Sequence, residues 1–456
     1  MGNFDTVLAE IDQNRARCVE ALKEFLRIPS VSTKPEQTPD MRRCAGWLAE
    51  QIRAVGLEAG VEEGGGHPVV LARNERRAGR PTVLFYGHYD VQPPEPLEQW
   101  TTPPFEPTER QGAIYARGAC DDKGQVWAHV EALRAWQKHG GLPVNIVMLI
   151  EGEEEIGSDH LDQFLEKRKA ELKADVAVIS DTGQFARGLP AITYGLRGLV
   201  YMEVFVSGAS HDLHSGMYGG AVPNPANVLC ELMASLHLPD GRVNIPGFYD
   251  DVVPLTVEER QQWARLPFDE AAYIRELQVP GLCGESGFTS LERAWGRPTC
   301  DINGLSGGYE GPGAKTIIPS TALAKVSMRL VPNQDPHKIR AAFEDALRRR
   351  CPKTVTIKFA SHGLGGPVMV PMNGPAMKLA RSAVKRGFGT EPVMIREGGS
   401  IPVVAQIKSV LGMDSLLVGF ALPDDRVHSP NEKFDLDALY KGCRTAAALY
   451  DELSRL

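Results

Sequence analysis

TVLFYGHYDVQP, Thr82–Pro93, runs from five strand-forming residues through Gly87 into His88 and Asp90, two apart. A short apolar run ending in a turn signal reads as a buried strand. A histidine and a carboxylate at its end are a poor choice for a plain turn, so the other strand ends need inspection.

Around this stretch helix and strand alternate. Helical periodicity marks RCAGWLAEQIRAVG, QVWAHVEALRAWQKHG and SDHLDQFLEKRKAEL, while VNIVMLIEG and ADVAVISD have strand character. Such alternation predicts α/β layering with a mainly parallel sheet. From Gly195 the pattern changes. LRGLVYMEVFVSG, TALAKVSMRLVPNQ and TVTIKFASHG alternate with period two, and DPHKIRAAFEDALRRRC has Asp335 as N-cap and Pro336 at the first helical position. The segment from Phe248 to Leu282 is irregular and helical in part. After NGPAMKLARSAVKRGFG the first pattern returns with SLLVGF, the loop ALPDDRVHSP and a closing helix. The expectation is a discontinuous α/β domain, residues 1–195 and 371–456, interrupted by a smaller α+β domain, residues 196–370.

Each α/β strand is followed by chemistry. His88 and Asp90 follow the first, Glu153, Glu154 and Glu155 the second, Asp181 the third, and His428 lies in the loop after SLLVGF. ARGACDDKG sets Asp121 and Asp122 between glycines. Ligand sites in open parallel sheets form beyond the carboxyl ends of strands. One such histidine is ordinarily a surface residue, and an acidic triplet ordinarily decorates a helix N-terminus. Four on one sheet edge argue for a site.

Two histidines with carboxylates and no cysteine suit zinc or a harder ion such as manganese. If Asp121, Glu155 and Asp181 all ligate, their three charges are balanced by two divalent ions and a bound hydroxide. That arithmetic favours a dinuclear site with ions ~3.5–4 Å apart and a bridging carboxylate such as Asp121. Asp90 either orients His88 through its second ring nitrogen or caps a turn.

The bulk properties fit a globular protein. The 456 residues predict two to three domains, with 43% hydrophobic and 24% charged residues. A net charge of −8 gives no electrostatic reason to expect nucleic acid or an anionic membrane as partner. Eight cysteines without a Cys-x-x-Cys pair, and an opening without a secretory leader's regions, lead to the expectation of a cytoplasmic protein. MGNFDT fits the outline of an acylation signal but has no basic patch or second lipid site beside it.

YGHYDVQP, YARGACDDKG, EGEEEIGS, VISDTG and VHSPNEK resemble, in order, the metal-site segments of the M20 metallopeptidases. ITYGLRG, DLHSGMYGG, TIIPSTALAKVSMRLVPNQDP and REGGSIP resemble the carnosinase and cytosolic nonspecific dipeptidase branch. The resemblance implies a phosphorylase/hydrolase-like catalytic domain of the zinc exopeptidase type with an inserted lid and dimerisation domain. It implies that His88, Asp121 and Asp181 hold one ion and His428, Asp121 and Glu155 the other, with Asp90 behind His88 and a cis Asp121–Asp122 bond. Where the family shows two adjacent glutamates this chain has three. Counting back from Gly157 and Ser158 makes Glu154 the general base and Glu155 the ligand, the register one earlier being the alternative. Glu154 then deprotonates a metal-bridging water, whose hydroxide attacks the scissile carbonyl. His214 matches a residue that reaches the neighbouring subunit's active site, which implies a homodimer. Arg329, Ser400, Glu397 and Gly399 are the candidate contacts to a small peptide.

The expected activity is hydrolysis of dipeptides. An aminoacylase or carboxypeptidase using the same site is the alternative, and the need for a free substrate amine separates them. A metal-binding regulator without turnover would be expected to lack Glu154 or His214, and both are present. A nucleic-acid binder would rest on RRRCPK alone.

Overall fold

The computed structural model describes residues 4–456, and Met1–Asn3 of the MGNFDT opening lie outside the described residues. All seven residues of the strand Thr82–His88 are buried. Val83, Leu84 and Phe85 are fully so, and side chains of this kind contribute about 1.5–3 kcal/mol each when buried. The strand lies between Asn145–Glu151 and Val176–Ile179, parallel to both. Ser415–Leu417 extends the parallel ladder beyond Val176–Ile179. Outside this centre Val69–Arg73, Glu58–Glu62 and Ala191–Leu196 pair antiparallel. The fold is mixed α/β, with helices flanking a sheet that is parallel through its centre.

The register sets His88 level with Glu151 and Tyr86 level with Ile179, so the central strands end together. Gly87 permits the next step of packing. A Cβ there would stand 2.6 Å from Val126 and 2.8 Å from an Asp122 carboxylate oxygen, at the start of the helix Lys123–Lys138. That helix packs on Leu436–Leu453, which packs in turn on Pro375–Phe388. Trp136 donates from its indole nitrogen to the Ala447 carbonyl at 3.1 Å.

Contacts divide the chain into two compact units: Met1–Tyr194 with Val370–Ile395 and Pro402–Leu456, and Gly195–Met369 with Arg396–Ile401. The second unit is built on a four-stranded antiparallel sheet ordered Thr299–Ser306, Thr321–Leu330, Gly198–Ser207, Thr356–Gly365. Period-two alternation buries Val200, Met202, Val204 and Val206 together with Ala324, Val326, Met328 and Leu330. The helices Pro225–Ala234 and Pro336–Arg350 pack on this sheet. Asp335 caps the second by accepting from the His337 and Lys338 amides.

Sequence periodicity carries no sign that Arg396–Ile401 groups with the second unit, and Arg197 supplies the reason. Its amide donates to the Gly399 carbonyl at 3.2 Å, its Nε to the Gly398 carbonyl at 2.9 Å, and its own carbonyl accepts the Ser400 hydroxyl at 2.5 Å.

Within the first unit His129 is fully buried and lies 4.1 Å from Phe85, ring centre to ring centre. The Ser180 hydroxyl gives its proton to the Val418 carbonyl, so it accepts from His129 Nε2–H, and Tyr450 donates to Nδ1. Burial lowers the His129 pKa to about 3. The unfolded chain therefore binds one more proton than the folded chain between that value and about 6.5. Stability from this group is present at neutral pH and falls with acidification by about 1.4 kcal/mol per pH unit across the window. Denaturant titrations from pH 7 to pH 4 are expected to show a shallower pH dependence in His129→Gln, by about that slope.

Candidate metal centre

Two trios of side chains meet at the carboxyl edge of the parallel strands. His88, Asp121 and Asp181 form one and Asp121, Glu155 and His428 the other, with ligand atoms of each trio within 4.8 Å of one another. Asp121 is common to both and divides its oxygens: Oδ1 lies 3.1 Å from His88 Nε2, and Oδ2 lies 2.9 Å from His428 Nε2. Glu155 Oε2 is 3.3 Å from the same His428 nitrogen. The Asp121–Asp122 peptide bond is cis.

The two histidines are held differently. His88 ends a buried strand and is itself 0% exposed, whereas His428 is 54% exposed on a loop at φ 62°. Asp90 combines the two roles that spacing left open. Its Oδ1 lies 3.4 Å from His88 Nδ1, and its backbone carbonyl is nearer still at 3.1 Å. The same carboxylate accepts the amides of Glu154 and Glu155 at 3.3 and 3.1 Å. It thereby ties the orientation of His88 to the turn that carries both glutamates.

The three members of the acidic triplet have different partners. Glu153 turns away, accepting from the His67 amide at 3.1 Å and pairing with His160 Nδ1 at 2.9 Å. Glu155 is the member that reaches His428, and Gln92 Nε2 steadies it at 2.8 Å. The Glu154 carboxylate has no hydrogen-bond partner among the described residues.

Charge at the centre is one-sided. No lysine or arginine pairs with Asp121, Glu155 or Asp181 among the described residues. Burial, with Asp121 and Asp122 nearby, raises the Asp181 pKa well above the usual range. Burial and Asp121 raise Glu155. Burial pushes Glu154 to about 8, with Glu155 and Asp121 adding to it and His88 opposing. Asp121 moves the other way, because hydrogen bonds from His428 and His88 outweigh its burial. His428 is raised to about 10 by hydrogen bonds to Asp121 and Glu155. Burial opposes a charge on His88, yet Asp121 and Asp90 hold its pKa well above the usual value. Protonated imidazoles thus stand where cations would relieve the carboxylates, and a donor set of two histidines and three carboxylates fits divalent ions.

Three further residues support the centre: Gln92 and Glu432, which were not singled out from sequence, and Asp122, which was named there without a role of its own. Gln92 continues the two-residue spacing of His88 and Asp90, which was the available signal. Asp122 accepts the His88 amide at 3.3 Å through Oδ2, while its buried Oδ1 has no partner. Glu432, fully buried, accepts from the Asp121 amide at 3.2 Å.

The remaining predicted residues lie in the second unit. Exposed His214 pairs through a two-residue strand with Ile317–Ile318, and its Nδ1 accepts the Gly216 amide at 3.0 Å. Arg329 donates to the Ser400 hydroxyl at 2.9 Å. At Gly398 a Cβ would stand 2.9 Å from the Arg197 guanidinium. Gly399 has open space beside it, with nothing within 4 Å. Glu397 closes the strand Val393–Glu397. The RRRCPK arginines are engaged: Arg348 with Glu344, Arg349 with Asp345, and Arg350 with the carbonyls of Ser235 and Asn244.

Comparison with known proteins gives this geometry a lineage. The profile of Peptidase family M20/M25/M40 matches residues 84–452. Human Beta-Ala-His dipeptidase is 33% identical, covering 99% of this chain and 93% of its own length. The Cys-Gly metallodipeptidase dug1 of Schizosaccharomyces pombe is 31% identical, covering 99% and 98%. The crystal structure of the M20 family metallo-carboxypeptidase Sso-CP2 from Sulfolobus solfataricus superposes with a TM-score of 0.88 at 34% identity, over 96% and 99% of the two chains. The chain belongs to peptidase family M20/M25/M40 and is a hydrolase acting on peptide bonds.

Proposed function

We propose that the chain is a dinuclear metal-dependent dipeptidase in which His88, Asp121 and Asp181 hold one ion and His428, Asp121 and Glu155 the other. The observation that carries this reading is the division of Asp121 between two histidines. Zinc suits the donor set best and manganese next. Bound there, two such ions supply an acidified water and polarisation of the scissile carbonyl. Glu154, its carboxylate without a hydrogen-bond partner among the described residues and its amide held by Asp90, takes the proton of the attacking water and returns it to the leaving amine. Nearby cations favour its ionised form, which brings its pKa down from about 8.

Arg329 and Ser400 are assigned to the substrate's terminal carboxylate. Burial and the neighbouring Arg329 lower the Arg197 pKa to about 10, and burial lowers Arg329. Neither guanidinium has a carboxylate within ion-pair distance among the described residues, which leaves a place for an incoming anion. Glu397 is assigned to the substrate amine, beside Gly399. Because His214 Nδ1 accepts a hydrogen bond, its neutral ring carries the proton on Nε2. That N–H is assigned to the oxyanion in a partner subunit, making the second unit a lid and dimerisation domain of a cytoplasmic homodimer. Among the described residues no helix is long and apolar enough to cross a membrane.

The likeness to the metallo-carboxypeptidase Sso-CP2 supports a second reading, removal of C-terminal residues from longer or N-blocked substrates. An unblocked Xaa-Gly dipeptide is expected to be cut and its N-acetyl form spared, and the reverse selectivity establishes the second reading. Glu154→Ala is expected to keep both ions by elemental analysis while losing at least about 100-fold in kcat, the lower range for a general base. Loss of an ion would move Glu154 into the ligand set. Both histidines must be neutral to ligate, and their raised pKa values keep them protonated near neutrality in the ion-free protein. Zinc binding is therefore expected to release protons, with affinity rising from about pH 6 to 8. Calorimetry in buffers of different ionisation enthalpy measures that release.

A further inference from the structure

We infer that Glu432 is a positioning residue that fixes the bridging aspartate relative to His428. The inference rests on the two-ion reading above. Glu432 is 0% exposed and lies four residues past His428. Its Oε2 accepts from Arg117 Nη1 at 2.7 Å and the Gly118 amide at 2.9 Å. Its Oε1 accepts from the Cys120 amide at 2.9 Å and the Asp121 amide at 3.2 Å. Four hydrogen-bond donors face its two carboxylate oxygens, which matches the number of bonds two such oxygens can accept. Its backbone carbonyl accepts the Ala116 amide at 3.2 Å. One residue therefore grips the whole turn that presents Asp121.

The grip works from the His428 side of the site. Next to Glu432, Asn431 donates to the Gln99 carbonyl at 2.7 Å and accepts the Thr101 amide at 2.9 Å. Lys433–Asp435 then pairs as a strand with Ala113–Tyr115. These contacts anchor the loop just beyond His428, whose own ring is more than half exposed and gains little fixation from packing. The other trio shares Asp121, but its two remaining members are held without Glu432: His88 ends a buried strand, and Asp181 follows the buried strand Val176–Ile179. Loss of the Glu432 carboxylate should loosen the trio of Asp121, Glu155 and His428 before it loosens the other.

The test uses stepwise zinc titration by calorimetry of the full chain and of Glu432→Gln, with thermal melting of the ion-free forms. Glutamine keeps the volume but replaces one acceptor oxygen with a donor facing donors. The expected result is a weaker second ion, by about 10–100-fold as for other residues that orient ligands, with the first binding step, which shares Asp121 but keeps His88 and Asp181 in place, weakened much less. The cobalt-loaded variant should retain the spectrum of the first site and lose that of the second at matched free metal. A structural role alone would lower the ion-free melting temperature and weaken both steps by the same factor, and that result overturns the inference. So do unchanged affinities at both steps. Glu432→Asp, which keeps the charge but shortens the reach, should weaken the second step as well, and a wild-type second step in it also overturns the inference. A wild type that binds a single ion removes the two-ion reading itself, and is read before any variant is compared.

Discussion

A single carboxylate divided between two histidines is the constraint around which the first unit is organised. Asp121 can face His88 and His428 together only if a strand end, a helix-start loop and a late surface loop converge within hydrogen-bond distance. That convergence gathers negative charge where burial makes it costly. Protonated imidazoles offset part of the cost, and divalent ions would offset more. The fold is the means of bringing such incompatible groups together and keeping them there.

The end of the opening strand, Thr82–His88, and the segment just after it do much of this. His88, Asp90 and Gln92 follow one another at two-residue spacing, and each serves a different element: the Asp121 loop, the Glu154–Glu155 amides, and the Glu155 carboxylate. The buried apolar run before them supplies rigidity. An error in strand register would therefore displace the histidine, the glutamate turn and the glutamate side chain together.

The α/β alternation and the polar strand ends were legible because both are local signals. Hydrophobic period reports on an element's own burial, and a histidine after a strand is visible wherever it falls. What could not be read was partnership across the chain. Glu432 looks like any loop glutamate until its four donors are seen, and the count from Gly157 and Ser158 that favours Glu154 over Glu153 says nothing of His67 and His160, which occupy the latter. The role of Arg197 was equally hidden, because it depends on carbonyls two hundred residues later. The strand Thr299–Ser306 was missed for a related reason, since it is an edge strand with mostly exposed side chains and weak alternation.

The return of Arg396–Ile401 to the second unit bears on how the protein could be divided. The chain passes between units at Tyr194, at Met369, and on either side of this six-residue return. The second unit is consequently not a cassette. A graft of Gly195–Met369 into a related scaffold would carry Arg197 and Arg329 but leave Ser400 behind. Recombination between relatives would keep the two arginines matched to their loop only when both segments travel from the same parent.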